Sequence, residues 1–438
     1  MTLFARLEGS ARLLALVKLA NVALVMLWGF AVTYVFVRLL PIETFRAFLL
    51  LVAFGNFTVS AELGLTSIVY NRLRRHWLAL RGEGTAQDFR AEELGVITML
   101  LAGLTIAATI ALFGAIQMRL IVTDMPLLFL LFFVTTCLNL FATLAKRTLA
   151  AVDRNLLWEA IDMARRVAAI GLLIAALAGM DLTLSVALQG LLSLIAIGAG
   201  LAMLHRRLGL RMGDWLALRV GGGHVRRHYL ADFGASAALT ASEVAAYNAP
   251  YFLIALATSD PRPLLFFDFL FKMSRALSAL VRAMIEAALP RITAAWYRGD
   301  ARRFRQLIAR GTGAALLMAL AIGAALMLFG VPLVAALFDG RLAIAPWMLL
   351  LLALLLLALA ITCVSVYVQG ALGRFRRLLR QSLPFLAGSL LSVPLASVLA
   401  GQGLPITTGF SLLLLATFAG TGALHGLALR RLMREMPQ

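Results

Sequence analysis

The chain has 438 residues, 62% of them hydrophobic, with a formal net charge of +19 and a mean hydropathy of +0.93. This composition excludes an ordinary soluble protein and places the chain among polytopic membrane proteins. The basic excess does not call for a nucleic-acid partner, because it sits in short clusters between apolar segments.

A membrane-spanning helix needs about 20 mostly apolar residues. By that measure the sequence predicts an all-α protein with about twelve spans. In chain order they are Val17–Val37, Phe45–Tyr70, Leu94–Gln117, Pro126–Leu149, Ile161–Gly179 and Leu182–Leu204. The second half supplies Tyr229–Ala257, Phe266–Pro290, Leu307–Leu328, Pro346–Gln369, Leu383–Leu399 and Ile406–Leu429. The run from Leu19 to Val37 is longer than a signal-peptide core and lacks a small-residue cleavage site, so it reads as a retained first span. Cys137 and Cys363 both lie inside apolar segments and do not form a disulfide framework.

The connections are strongly asymmetric in charge. On one side they carry 29 Lys and Arg residues, from Arg6 to Arg434; on the other only Arg38, Arg46, Arg119, Arg262 and Arg341. The positive-inside rule then places both termini in the cytoplasm and supports an even number of spans. The far-side connections are too short to hold a folded domain. Gly221, Gly222 and Gly223 fall near the middle of the chain in a segment read as a linker. This gives an N-terminal lobe over residues 1–210, a linker over 211–228 and a C-terminal lobe over 229–438. The lobes look like a parallel repeat, since TLAKRTLAAVDRN after the fourth span matches SVYVQGALGRFRR after the tenth. Transporters built from such repeats bind substrate between their halves and rock around it.

The segment FFDFLFKMSRALSALVRAMIEAALP (Phe266–Pro290) is long enough to span, yet carries Asp268, Lys272, Arg275, Arg282 and Glu286. At roughly 100° per residue these five fall within about 80° of one another. Charge facing acyl chains is costly, so the stripe is read as one wall of a cationic, water-filled chamber, with a structural ion-pair ladder as the alternative. The seventh span has its own stripe of Asp232, Ser236, Thr240, Glu243, Tyr247 and Tyr251, and Asn248 with Pro250 suggests a local break. Lys272, Arg275, Arg282 and Lys18 are the candidate substrate-binding cations. For Lys18, near the basic end of the first span, snorkelling is the competing reading. Glu243, Asp268, Glu286 and Glu62 are candidate coupling or gating carboxylates, although Glu62 also fits a helix–helix hydrogen bond. Glu159, Asp162, Arg165 and Arg166 read mainly as local salt bridges. His224 and His228 read as a solvated loop, with no metal site. The absence of a P-loop argues against direct use of ATP. No cofactor is expected, and a proton or sodium gradient is the natural energy source.

The segment RLLPIETFRAFLLLVAFGNFTVSAELGLTSIVYNR (Arg38–Arg72) carries Arg38-Leu39-Leu40, Phe45 and Phe48, and Glu62-Leu63-Gly64-Leu65. It resembles the opening of bacterial polysaccharide transporters: the Wzx-like lipid-linked oligosaccharide flippases of the multidrug/oligosaccharidyl-lipid/polysaccharide exporter superfamily. Arg46 stands where that pattern usually has Gly. The segments VYVQGALGRFRR and LPRITAAWYRGDARRFRQL are similar to further family motifs. The resemblance implies two six-helix lobes around a central cavity, alternating access, and a polyprenyl-diphosphate-linked glycan as substrate. The implied partners are membrane lipid and polysaccharide polymerase or ligase machinery. Guanidinium groups suit diphosphate recognition. A multidrug or cation exporter of the same superfamily is the alternative, and a membrane polysaccharide polymerase or ligase a third reading.

Overall fold

The computed structural model describes residues 11–82 and 89–435, so Arg6 lies outside the described residues. In chain order, α1 is Ala11–Leu39, α2 Ile42–Ser60, α3 Leu65–Leu80, α4 Glu92–Gln117, α5 Pro126–Ala151, α6 Asn155–Leu177 and α7 Leu182–Leu208. They are followed by α8 Met212–Leu216, α9 Leu218–Ala257, α10 Arg262–Tyr297, α11 Ala301–Leu337, α12 Pro346–Ala371, α13 Phe375–Ala400 and α14 Ile406–Arg434. Among the described residues nine stretches are long and apolar enough to cross a membrane, with α2 and α3 counting as one. The other long helices are α6, α9 and α10, whose charged and polar side chains lower their apolar content. Together these agree with about twelve spans in a multi-pass membrane protein. The second span is interrupted at residues 61–64, where Leu63 and Gly64 take positive φ and the Glu62 side chain closes the next turn.

The chain divides into two compact units. Unit 1 comprises Met1–Val35 and Leu51–Thr240, and unit 2 comprises Phe36–Leu50 and Ala241–Gln438. Both units use the same helix pairings. In unit 1, α5 packs on α7, α3 and α4, and α6 packs on α7; in unit 2, α12 packs on α14, α10 and α11, and α13 packs on α14. The fourth and tenth spans are thus the hubs of two equivalent bundles.

Helix association within a bilayer relies on close backbone packing rather than on a hydrophobic drive, so small residues mark the contacts. A Cβ added at Gly200 on α7 would lie 2.7 Å from the Trp158 ring, and one at Gly422 on α14 would lie 2.9 Å from the Ala358 carbonyl on α12.

The segment read as a glycine linker is largely helical: Gly221, Gly222 and Gly223 lie inside α9. The local cause is a buried polar cluster in unit 1. Glu93 on α4 is fully buried and accepts hydrogen bonds from Arg72 Nε (3.2 Å) and Nη2 (3.0 Å) and from the Tyr229 hydroxyl (2.7 Å). His224 Nε2 lies 2.9 Å from Glu93 Oε1. His224 is therefore a buried partner rather than a residue of a solvated loop. This cluster fixes the beginning of α9 in unit 1, and the division between units falls within that helix rather than in the segment before it.

The α1–α2 corner belongs to unit 2. Pro41 disfavours continuation of α1 and α2 begins directly after it. Arg38 donates to the Ala336 carbonyl (2.6 Å), and Arg341 donates to that of Leu40 (3.1 Å). Arg46 donates to the Ala255 (2.8 Å), Thr258 and Ser259 (3.1 Å) carbonyls at the end of α9. A guanidinium is well suited to the unsatisfied carbonyls of a helix C-terminus, which gives Arg46 a structural reason to stand where the resemblance expects glycine.

Because Gly422 meets backbone, Gly422→Val should destabilise unit 2 by about 1–3 kcal/mol through overpacking. Gly420→Ala, with open space around it, should leave the thermal unfolding midpoint in detergent unchanged or slightly raised.

Candidate functional site: the polar face of unit 2

The five charges of the α10 stripe, Asp268 to Glu286, separate into two groups. Asp268 is only 1% exposed; it pairs with Lys272 and accepts a hydrogen bond from the Tyr251 hydroxyl of α9 at 3.0 Å. This part of the stripe is a satisfied buried ion pair. Further along, Arg275, Arg282 and Glu286 are exposed. Arg282 donates to Glu286 at 2.7 Å. Arg275 lies over the Phe271 ring at 5.9 Å and has no carboxylate within salt-bridge distance among the described residues.

Glu243, one turn before Tyr247 on α9, also has solvent-accessible surface and interacts electrostatically with Arg275 and Arg282. The Arg282 guanidinium lies 6.0 Å from the Tyr367 ring of α12, and Cys363 donates to the Ser278 hydroxyl of α10 at 3.4 Å. Tyr247 packs among Phe271, Phe385 and Phe418, with ring centroids 5.2–6.4 Å away. The resulting surface has accessible guanidinium and carboxylate groups set among aromatic rings. Taken alone the stripe from Asp268 to Glu286 carries one surplus positive charge, and adding Glu243 balances it. The face is therefore amphoteric rather than simply cationic. The side chains of Asp232 and Ser236 lie outside the described residues.

The remaining candidates lie elsewhere. Lys18 is exposed on α1 in unit 1. Glu62 accepts from Thr66 N at 3.0 Å and Thr66 Oγ1 at 3.1 Å, which makes it a local helix cap. Asn248 donates to the Val244 carbonyl at 2.9 Å, and α9 continues through Pro250. The expected break is absent from the described helix, with the Asn248 amide supporting the backbone just before the proline.

Sequence reading missed two polar groupings. In unit 2, Gln369 donates to Ser365 Oγ (2.8 Å) and Gln381 Oε1 (3.0 Å), and His425 shares a hydrogen bond with Ser365 (2.9 Å). In unit 1, Asn21 donates to both Glu159 (2.6 Å) and Asp162 (3.0 Å). Asn21 is an isolated amide in an apolar helix; that is the available sequence signal, but its carboxylate partners are 138 and 141 residues away.

No family model matches the chain, and no curated protein sequence matches it. Solved structures do. An inward-facing multidrug resistance MATE family transporter of the MOP superfamily aligns with a TM-score of 0.62 and 15% identity, covering 96% of this chain and 98% of that one. An outward-facing transporter of the same description aligns at 0.59 and 15%, covering 97% and 95%. A mutant of the Vibrio cholerae MATE transporter VcmN aligns at 0.64 and 17%, covering 98% of both chains. The chain therefore has the MATE-like transporter fold over nearly its whole length.

The two parts of the α10 stripe should respond differently to substitution. Asp268→Ala strands Lys272 in a largely buried setting and should cost about 3–5 kcal/mol. Arg282→Ala removes a half-exposed pair and should cost less than about 1 kcal/mol. Thermal unfolding of the purified variants in one detergent checks both.

Proposed function

We propose that this chain is an alternating-access exporter that moves amphiphilic molecules across a membrane, with the accessible polar face of unit 2 contacting the charged part of its cargo. The carrying observation is fold likeness over almost the full length to multidrug resistance transporters described in inward- and outward-facing conformations. It supports the multidrug-export reading more directly than any other. Glu243 offers a carboxylate for cationic compounds, and Tyr247, Tyr367 and Phe271 offer aromatic surface for their apolar bodies. On this reading the protein acts in a bacterial inner membrane, with both termini cytoplasmic, and a proton or sodium gradient drives the cycle. Glu243 and Glu286 are the proposed coupling groups.

A second reading is a flippase for a polyprenyl-diphosphate-linked oligosaccharide. It is favoured by the exposed Arg275 and Arg282, which together can meet diphosphate oxygens. The lipid tail would remain in the bilayer while the head group crosses.

A deletion strain separates the readings. Multidrug export predicts increased sensitivity to cationic drugs with surface glycan intact. Flipping predicts complete lipid-linked repeat units accumulating on the cytoplasmic leaflet as surface glycan falls. Complementation then tests the site: Arg275→Ala and Arg282→Ala should each lower transport at least about tenfold, a loss of about 1.4 kcal/mol in transition-state stabilisation, without lowering protein abundance. Full transport by both variants would remove this face from the cargo route.

A further inference from the structure

The charged cluster of unit 1 is separate from the proposed cargo face and has a different charge balance. Lys146 Nζ lies 2.9 Å from Glu159 Oε1. Asp162 carries two guanidiniums: Arg165 contacts Oδ1 at 2.7 Å, and Arg166 Nε donates to Oδ2 at 2.9 Å. Two carboxylates thus contact three cations, of which Lys146 is 44% exposed while Arg165 and Arg166 are largely buried. A guanidinium with unfilled donors in a largely buried setting is expensive, so an anionic acceptor is favoured.

The cluster opens into a cavity lined by Trp28, Thr135, Asn139, Arg165, Arg166 and Gln189, together with neighbouring residues. Its water-admitting space is about 40 Å³, room for about three water-sized groups. Most polar lining groups already have partners. Arg165 spends Nε and Nη2 on Asp162 and Nη1 on Ser193, while Trp28 donates to Gln189 at 3.3 Å. Arg166 does not follow this pattern. Beyond its Nε bond to Asp162, its Nη1 and Nη2 groups have no acceptor among the described residues. The Thr135 hydroxyl, on the opposing helix α5, likewise has no hydrogen-bond partner among them.

We infer that this cavity binds a carboxylate group, held by Arg166 Nη1 and Nη2 and by the Thr135 hydroxyl. The planar fork of a guanidinium matches two carboxylate oxygens, and a third carboxylate would equal in number the three cations Lys146, Arg165 and Arg166. The three heavy atoms of a carboxylate suit the volume. The group comes either from a free small acid or from an acidic cargo, and its binding does not depend on what the face of unit 2 carries.

Acetate is the probe. In the purified full chain in detergent, replacing chloride with sodium acetate at equal ionic strength should raise the unfolding midpoint by about 2–4 °C. Arg166→Gln should abolish that rise, Arg166→Lys should retain part of it, and Arg275→Ala should retain all of it. No difference between acetate and chloride, or an undiminished rise in Arg166→Gln, would overturn the assignment. If Arg166→Gln fails to fold, the Thr135→Val variant serves instead, with a weakened acetate response expected and an unchanged one contradicting the assignment. The source of the carboxylate is read separately from transport of matched acidic and neutral amphiphiles. Selective loss of the acidic compound in Arg166→Gln assigns the site to cargo. Unchanged transport with loss of the acetate response assigns it to a free acid.

Discussion

A charge inside a bilayer must find an opposite charge, a set of hydrogen-bond partners or water, because acyl chains supply none of these. That constraint organises this molecule. Many intramembrane charges are concentrated in α6, α9 and α10, the long helices that fall outside the nine apolar stretches. In unit 1, Glu159 and Asp162 are tied to Asn21, Lys146 and two arginines. In unit 2, Asp268 is tied to Lys272 and Tyr251. The Asp268 group is structural, and it leaves Arg275, Arg282, Glu286 and Glu243 as the accessible part of the α9–α10 polar surface.

The same constraint explains how helix ends are joined. Arg46 answers the open carbonyls at the end of α9, while Arg38 and Arg341 fasten the α1–α2 corner within unit 2. Few basic residues lie on that side of the chain, and three of them have these structural duties. On the opposite side, Arg74 and Arg81 pair with Asp153 at 2.5 and 2.9 Å, and Arg374 and Arg377 pair with Glu435 at 2.6 and 2.8 Å. The basic clusters therefore fasten loops.

Much of the fold was legible in the sequence because a membrane span leaves a long, local signal. The twelve apolar segments and the related halves required no knowledge of distant contacts. The α10 stripe was visible for the same reason, since helical periodicity places Asp268 through Glu286 on one face. Its division into buried and accessible parts was not visible, because Tyr251 and Glu243 reach it from another helix. Asn21 gave little signal for its distant carboxylates. Gly221 to Gly223 suggested a linker by composition, whereas Glu93, Arg72, His224 and Tyr229 hold that region as helix through long-range contacts. Local glycine propensity is weaker than a satisfied buried network.

The central claim is that the Arg275 region of unit 2 meets water alternately from the two sides of the membrane. The direct measurement is reaction of Arg275→Cys with a membrane-impermeant thiol reagent, in a background where Cys137 and Cys363 are replaced. Labelling should occur from either side in separate experiments, and trapping one conformation should protect the residue from one side only. Failure to react from either side, or access confined to one side throughout the transport cycle, would contradict the account.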